Sequence, residues 1–229
     1  MVNETAGNET NMNRMLKAIL LSAGLCSLPN LCFSASIIYD NSATYRTNYY
    51  PTTFESGNQI TNLFGTDRTL SQFSFSYFFS GATVSTQTWT LRLYANNGIT
   101  NSPSTALYVG DPRPISLANS FNTETINFPL SSNLITLPET FTWTVQFSNL
   151  GAGQNAGLLL YGPPNVGSSF NDFWQKDGSG NWSLMTINGA AFSEFAARVS
   201  AVPEPGVLAL GGLGALVLAG LRRFRKTPG

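Results

Sequence analysis

Histidine is absent from the 229-residue sequence, and cysteine occurs only twice, at Cys26 and Cys32. Both cysteines lie in an N-terminal segment that we predict to be removed. Without either residue, a Ser-His-Asp or Cys-His nucleophile system cannot be built, and a His- or Cys-ligated zinc site is excluded. Haem loses its two commonest protein ligands, and no disulfide can form. The absences exclude catalysis that depends on a histidine or a thiol.

Charged residues are also scarce, at 10% of the sequence. Residues 35–202 carry six basic and nine acidic side chains, a net charge of −3. A nucleic-acid-binding surface is marked by a basic patch, and this region has none. We therefore expect no nucleic-acid partner. Ser, Thr, Asn and Gln, rather than charge, make the surface polar.

The N-terminus has the pattern of a secretory signal peptide. Arg14 and Lys17 precede a short apolar run at residues 18–28, and small residues follow at the expected cleavage site. We predict cleavage after Ser34, with cleavage after Ala35 as the alternative. A membrane-spanning helix is the less favoured reading, because the apolar run is too short to cross a bilayer.

The sequence divides into three parts: a predicted signal peptide, an ectodomain and a C-terminal segment at residues 203–226. Residues 1–34 form the predicted signal peptide, and within it residues 1–11 lie ahead of the basic region. Met12 fits a start site, so residues 1–11 fit an upstream extension without a structural role. Residues 35–202 remain as a single ectodomain, a size at which one domain buries a sizeable core.

Three ordered elements close the sequence. They are Pro203-Glu204-Pro205, an uncharged run of Gly, Ala, Val and Leu at residues 206–221, and the basic cluster Arg222-Arg223-Phe224-Arg225-Lys226. As a helix the apolar run spans about 24 Å, and snorkelling of the following arginines extends it to bilayer thickness. The basic cluster predicts a cytoplasmic C-terminus. A buried core helix is the alternative, which the terminal position disfavours.

Residues 202–226 resemble the PEP-CTERM protein-sorting domain, a segment also labelled an ice-binding-protein C-terminal domain, a name that implies nothing about ice here. The resemblance implies export through the general secretion machinery and processing by the membrane protease exosortase. It assigns recognition to Pro203, Glu204 and Pro205, and predicts that the helix and basic tail are discarded or replaced. It also implies a Gram-negative bacterium that makes extracellular polysaccharide, with the mature protein at the cell surface or in the matrix.

Alternation of apolar and polar residues dominates the ectodomain. The pattern is typical of half-buried strands and is clearest in residues 73–79, 89–93, 126–130 and 141–147. Shorter strands are predicted at residues 37–40, 59–64, 157–161, 173–176, 182–186 and 195–199. Turn signals separate them, among them Asp177-Gly178-Ser179-Gly180, which predicts a hairpin. We predict an all-β fold, a two-sheet antiparallel sandwich of jelly-roll type.

A second resemblance covers most of this ectodomain. It rests on the order Tyr39-Asp40-Asn41, residues 73–79, Trp89-Thr90-Leu91-Arg92-Leu93-Tyr94, Pro103-Ser104-Thr105-Ala106-Leu107 and residues 141–147. This order resembles the choice-of-anchor domains, especially type R, which lie between bacterial signal peptides and varied sorting tails. The resemblance implies no catalytic residues.

Two kinds of site remain chemically open in the ectodomain. A glycosidase needs only two carboxylates, but no acid here lies in a recognisable motif. Calcium prefers oxygen ligands, yet Asp172 and Asp177 lack the spacing of a calcium loop. We therefore expect no catalytic residue, no metal and no cofactor.

Trp174 and Trp182 flank the predicted hairpin turn and admit two interpretations. Exposed aromatic rings can stack on sugar rings through their apolar faces. Large aromatic residues are more often buried, and the favoured interpretation packs both tryptophans into the core, like Trp89 and Trp143.

The sequence favours a non-enzymatic exported protein of the cell envelope or extracellular matrix, with a structural or adhesive role among extracellular polysaccharides. A carbohydrate-binding module that uses Trp174 and Trp182 is the alternative. A two-carboxylate glycoside hydrolase or lyase is the third hypothesis.

Overall fold

The computed structural model describes residues 34–43, 45–81, 86–131, 133–187 and 194–203. The predicted signal peptide before Ser34 and the segment from Glu204 onward lie outside the described residues. All the regular structure within these ranges is β-strand. The strands are β1 (Ser36–Asp40), β2 (Tyr45–Pro51), β3 (Glu55–Gly57), β4 (Gln59–Thr61), β5 (Arg68–Ser80), β6 (Thr88–Asn96), β7 (Pro103–Val109), β8 (Arg113–Pro114), β9 (Ser120–Asn127), β10 (Thr136–Leu137), β11 (Thr140–Ser148), β12 (Asn155–Tyr161), β13 (Ser168–Ser169), β14 (Phe173–Lys176), β15 (Trp182–Met185), β16 (Glu194–Phe195) and β17 (Ala197–Pro203).

The strands form two antiparallel sheets. The first sheet contains β1, β2, β5, β9, β10, β12, β16 and β17, and the 13-residue strand β5 lies at its centre. One edge of β5 pairs with β17 and then β12, while the other pairs with β10 and β9. The second sheet contains β3, β4, β6, β7, β8, β11, β13, β14 and β15, and its longest pairing joins β6 to β11.

The core lies between the two sheets and is built mainly from aromatic rings. Ring centroids of Phe73 and Trp143 are 5.4 Å apart, and those of Tyr77 and Phe147 are 5.3 Å apart. Both pairs join the first sheet to the second, and all four side chains come from strands that alternation predicted. The prediction of an all-β, two-sheet antiparallel sandwich is confirmed. Its jelly-roll connectivity remains a prediction.

Alternation predicts the wrong environment for two threonines of β11. Thr142 and Thr144 point away from the core, yet both are fully buried. Their hydroxyl groups donate hydrogen bonds to Asn96 Oδ1 at 2.7 Å and to Glu55 Oε1 at 2.7 Å. This outer face of the second sheet is covered by other side chains, which a two-residue period cannot reveal.

The strand predicted at residues 126–130 lies earlier in the chain. β9 ends at Asn127, two residues before Pro129, which agrees with Pro129 acting as a strand terminator. The beginning of β9 was missed because its polar Asn122 faces inward and Phe121 faces out. Asn122 compensates for its burial by bonding the backbone of the preceding loop.

Strands also lie in two segments where proline residues predict loops. Pro103 opens β7, and Pro114 closes the two-residue strand β8. Proline is tolerated at the first residue of a strand and on edges, where its missing N–H removes no ladder bond. Strand β2 was not predicted, because residues 45–51 lack alternation.

The hairpin predicted around Asp177 is confirmed. β14 pairs with β15, and Lys176 lies directly opposite Trp182.

The last strand, β17, inserts between β1 and β5, and its last residue, Pro203, lies opposite Arg68. Across the ranges that the structure describes, no helix has the length and apolar character needed to cross a membrane.

Candidate functional site

The candidate site lies on the outer face of the second sheet, the face turned away from the core. Five neighbouring strands contribute to it, in the order β15, β14, β3, β11 and β6. Trp182 is opposite Lys176, and Lys176 is opposite Glu55. In a flat sheet β15 and β6 would lie about 19 Å apart, at four strand spacings.

This sheet is not flat. The ring of Trp182 on β15 and the ring of Tyr94 on β6 have centroids only 5.3 Å apart, in an edge-to-face contact. The two strands therefore approach over the outer face, which is concave. The curl encloses polar side chains that an open sheet would leave in water, and it explains the buried threonines of β11.

Glu55 is the centre of the enclosed group, with only 5% of its surface exposed. Its Oε1 accepts hydrogen bonds from the Tyr94 hydroxyl at 2.8 Å and from Thr144 Oγ1 at 2.7 Å. Its Oε2 lies 3.2 Å from Nη1 of Arg92, which also donates to Gln146 Oε1 at 3.1 Å. We call these five residues the Glu55 network. Burial, together with the Glu55 carboxylate, raises the pKa of Tyr94 above its ordinary value.

Gly57 allows the backbone to bring Glu55 into this position. A Cβ atom at Gly57 would overlap the carbonyl oxygen of Trp143 on β11. Any other residue would push β3 away from β11 and carry Glu55 with it. The network thus depends on a close approach of two strands as well as on its own hydrogen bonds.

The two tryptophans of the hairpin both lie on this outer face. Trp174 is 8% exposed, and its Nε1 is 3.5 Å from Gln59 Oε1. Trp182 is half-buried against Tyr94, and Nζ of Lys176 lies 5.3 Å from the centre of its ring. The favoured expectation placed both in the core with Trp89 and Trp143. Trp174 is buried, as that expectation required, whereas Trp182 is only half-buried. Neither ring joins the core cluster between the sheets, because Phe173 takes the inward position of β14.

A cleft of about 450 Å³ opens beside the Glu55 network. Glu55, Arg92 and Gln146 line its floor on the sheet, and Phe54 and the hairpin turn, which are neighbours in the strand register, line its walls. We call this space the outer cleft. Its size falls within the range of about 300–1,000 Å³ that is typical of ligand sites.

Both walls of the outer cleft are held by local hydrogen bonds. The backbone N–H of Phe54 donates to Thr52 Oγ1 at 3.0 Å, and the Thr52 hydroxyl donates to the Phe54 carbonyl at 3.1 Å. In the hairpin turn, Asp177 Oδ1 accepts from the N–H groups of Ser179 and Asn181 at 2.9 and 2.8 Å. These donors lower the pKa of Asp177. The phenyl ring of Phe54, 44% exposed, therefore projects from a fixed backbone.

Sequence reasoning singled out none of Phe54, Glu55 and Arg92 as site residues. Glu55 and Phe54 lie in and beside a three-residue strand too short to show alternation. Alternation with Trp89, Leu91 and Leu93 predicts that Arg92 lies on the solvent side of β6. No group of three or more acidic, histidine or cysteine side chains converges for a metal within the residues that the structure describes.

The predicted processing residues lie mostly beyond the described ranges. Pro203 is the last described residue and ends β17. Glu204, Pro205, the apolar run at residues 206–221 and the basic residues Arg222, Arg223, Arg225 and Lys226 lie outside the described residues.

Comparison with known families identifies the end of the chain. Residues 201–226 match the model of the PEP-CTERM protein-sorting motif, which confirms the resemblance drawn from Pro203-Glu204-Pro205 and the elements that follow. The chain thus carries a signal for export, membrane-associated sorting and processing by exosortase. No curated protein matches the sequence.

Proposed function

We propose that this protein is a non-enzymatic component of the cell envelope or extracellular matrix, where its sandwich has a structural or adhesive role among extracellular polysaccharides. The sorting motif at residues 201–226 carries the proposal. The motif begins within β17, so the cargo that it delivers is the β-sandwich itself. The polar, weakly charged surface and the lack of histidine support a role that needs no catalysis.

Fractionation of cells that express an exosortase tests this proposal. We expect the wild-type protein in the surface or matrix fraction, shortened at both ends. A variant with Pro203, Glu204 and Pro205 all replaced by alanine should remain in the membrane fraction with its C-terminal segment attached. Glu139→Ala, a surface substitution, is the control and should behave as wild type. Recovery of the processed wild-type protein from the cytoplasm would contradict the proposal.

A carbohydrate-binding module is the second candidate, and the outer cleft is the observation that favours it. The cleft combines an exposed aromatic ring, Phe54, with the side chains of Arg92, Gln146 and Lys176. Binding sites for small polar ligands typically pair an apolar surface with a few fixed polar groups. The half-buried Trp182 supports this arrangement through Lys176 and Tyr94, rather than as one of two exposed sugar platforms.

The geometry supports binding over glycoside hydrolysis. Glu55 and Asp177 both line the outer cleft, as a two-carboxylate mechanism would require. A general acid needs a raised pKa, whereas the turn amides lower the pKa of Asp177. Glu55 is committed to Arg92, Tyr94 and Thr144.

A further inference from the structure

We infer that the outer cleft binds an uncharged pyranose unit of a polysaccharide, with Phe54 as its stacking surface and Arg92 and Lys176 as its hydrogen-bond donors. The inference rests on the proposed matrix role, because polysaccharide is the ligand that such a location supplies. It assigns that role to one cleft and one class of sugar.

The aromatic residue that lines the cleft, Phe54, is exposed, and local hydrogen bonds hold its backbone. Phe54 follows a turn in which Thr52 bonds both the N–H and the carbonyl of Phe54. Thr52 is itself buried, and Gln175 Nε2 approaches its hydroxyl at 3.4 Å. A phenyl ring on a fixed backbone offers its apolar face to the C–H groups of a sugar ring at little cost in conformational entropy.

The floor of the cleft is fixed as well. Nη1 of Arg92 bridges Glu55 and Gln146, and these two contacts restrict the position of the guanidinium group. Glu55 uses both of its oxygens within the Glu55 network, which makes it a positioning residue for Arg92. Burying an ion pair costs desolvation free energy that can exceed the attraction between the charges, so stability alone does not explain the pair. The network fits a role in holding polar groups ready for a ligand.

The charges that line the cleft balance. Arg92 and Lys176 are positive, and Glu55 and Asp177 are negative. Asp177, like any aspartate near its ordinary pKa, is ionised at neutral pH. A carboxylate-bearing sugar would meet both repulsion and attraction here, so the balance favours an uncharged ring. Donors from Arg92 and Lys176 suit the oxygen atoms of sugar hydroxyl groups.

Calorimetric titration of the full-length chain in detergent tests the inference. The probes are the hexasaccharides of β-1,4-glucose, β-1,4-mannose, β-1,4-xylose and α-1,4-glucose, with the hexamer of galacturonate as the charged comparison. We expect at least one neutral hexamer to bind, with an affinity unchanged between low and high salt. Phe54→Ala should reduce that affinity by about tenfold or more. Lys176→Gln should reduce it less, because one donor is lost and the stacking surface remains.

Phe121→Ala is the matched control. Phe121 is 45% exposed, like Phe54 at 44%, but lies on the outer face of the first sheet. We expect this variant to bind as wild type, and circular dichroism should show that all the variants are folded. Equal binding by Phe54→Ala and wild type would overturn the inference. Salt-sensitive binding of galacturonate alone would also overturn it, as would a failure of every neutral hexamer to bind.

The titration and the cell fractionation can fail independently, so they test the cleft and the matrix role separately. A protein that is sorted to the matrix but binds no neutral hexamer retains its proposed function and loses the cleft assignment. A protein that binds a hexamer but stays in the cytoplasm loses the matrix role, while the cleft remains a sugar site.

Discussion

The two outer faces of the sandwich differ in how they treat polar side chains. On the first sheet, Ser74 of β5 bonds across to Thr125 of β9 at 2.9 Å in a pair open to water, and the more buried Ser76 bonds to the exposed Thr123 at 2.8 Å. On the second sheet, the carboxylate of Glu55 is buried among side chains of the neighbouring strands. One architecture thus carries an open hydrogen-bonded surface and an enclosed ionic one.

The difference arises from curvature. The second sheet curls until Trp182 meets Tyr94 across five strands, and the space between them must be filled by groups that satisfy one another. The ladder of the first sheet needs no such closure, because water completes its hydrogen bonds. On the second sheet, the curvature excludes water from the outer face and so creates an enclosed polar site there.

The largest expected effect tests the strand approach that positions the Glu55 network. Gly57→Ala places a methyl group against the backbone of Trp143, so we expect a loss of more than about 4 kcal/mol, or failure to fold. Gly178→Ala is the control, since a Cβ at Gly178 meets nothing within 4 Å. Urea midpoints measure both variants. Similar midpoints would show that the close approach of β3 to β11 is not required.

The next effect concerns the buried charge itself. Glu55→Ala leaves Arg92 without its partner and Tyr94 without its acceptor, so we expect a loss of about 3 kcal/mol. Ser74→Ala, on the ladder of the first sheet, should change stability by less than about 0.5 kcal/mol. Urea denaturation with unchanged slopes gives both values. If both substitutions cost the same, the two faces do not differ in the way described.

A smaller effect is expected at the ring that closes the curl. Trp182→Ala removes the contact with Tyr94 and should cost about 1–2 kcal/mol. The comparison is Phe121→Ala, which removes an open contact with Phe78, at a centroid distance of 5.0 Å. We expect that loss to be the smaller one, because Phe121 is nearly half exposed. A greater thermal shift for Phe121→Ala would contradict closure by Trp182.

The smallest effect is the acid dependence of the hairpin turn. The pKa of Asp177 is lowered below its ordinary 3.8 by N–H donors of the turn. A lowered pKa in the folded state contributes stability above the unfolded-state pKa, and that contribution is lost as pH falls through the folded value. Asp177→Asn should therefore flatten the stability profile below about pH 4. Parallel profiles for the two proteins would show that the turn does not stabilise the ionised carboxylate.

The sequence predicts the sandwich more successfully than the site. Phe73, Tyr77, Trp143 and Phe147 alternate with small polar residues, and alternation specifies which face is buried. Alternation does not predict the Glu55 network, because the burial of these residues depends on the curl of the sheet. Sheet curvature produces no periodic pattern in the sequence. The sorting motif, in contrast, can be identified from the sequence alone, because it is defined by the order of its residues.

The last strand also bears on how accessible the sorting motif is. Val202 is buried and lies opposite Thr69, and Pro203-Glu204-Pro205 begins at the next residue. Strand pairing thus continues into the first residue of the tripeptide. The exosortase processing that the motif indicates would act on a segment that is paired with β5 up to Pro203. Access to the tripeptide would then depend on how readily the last residues of β17 separate from β5.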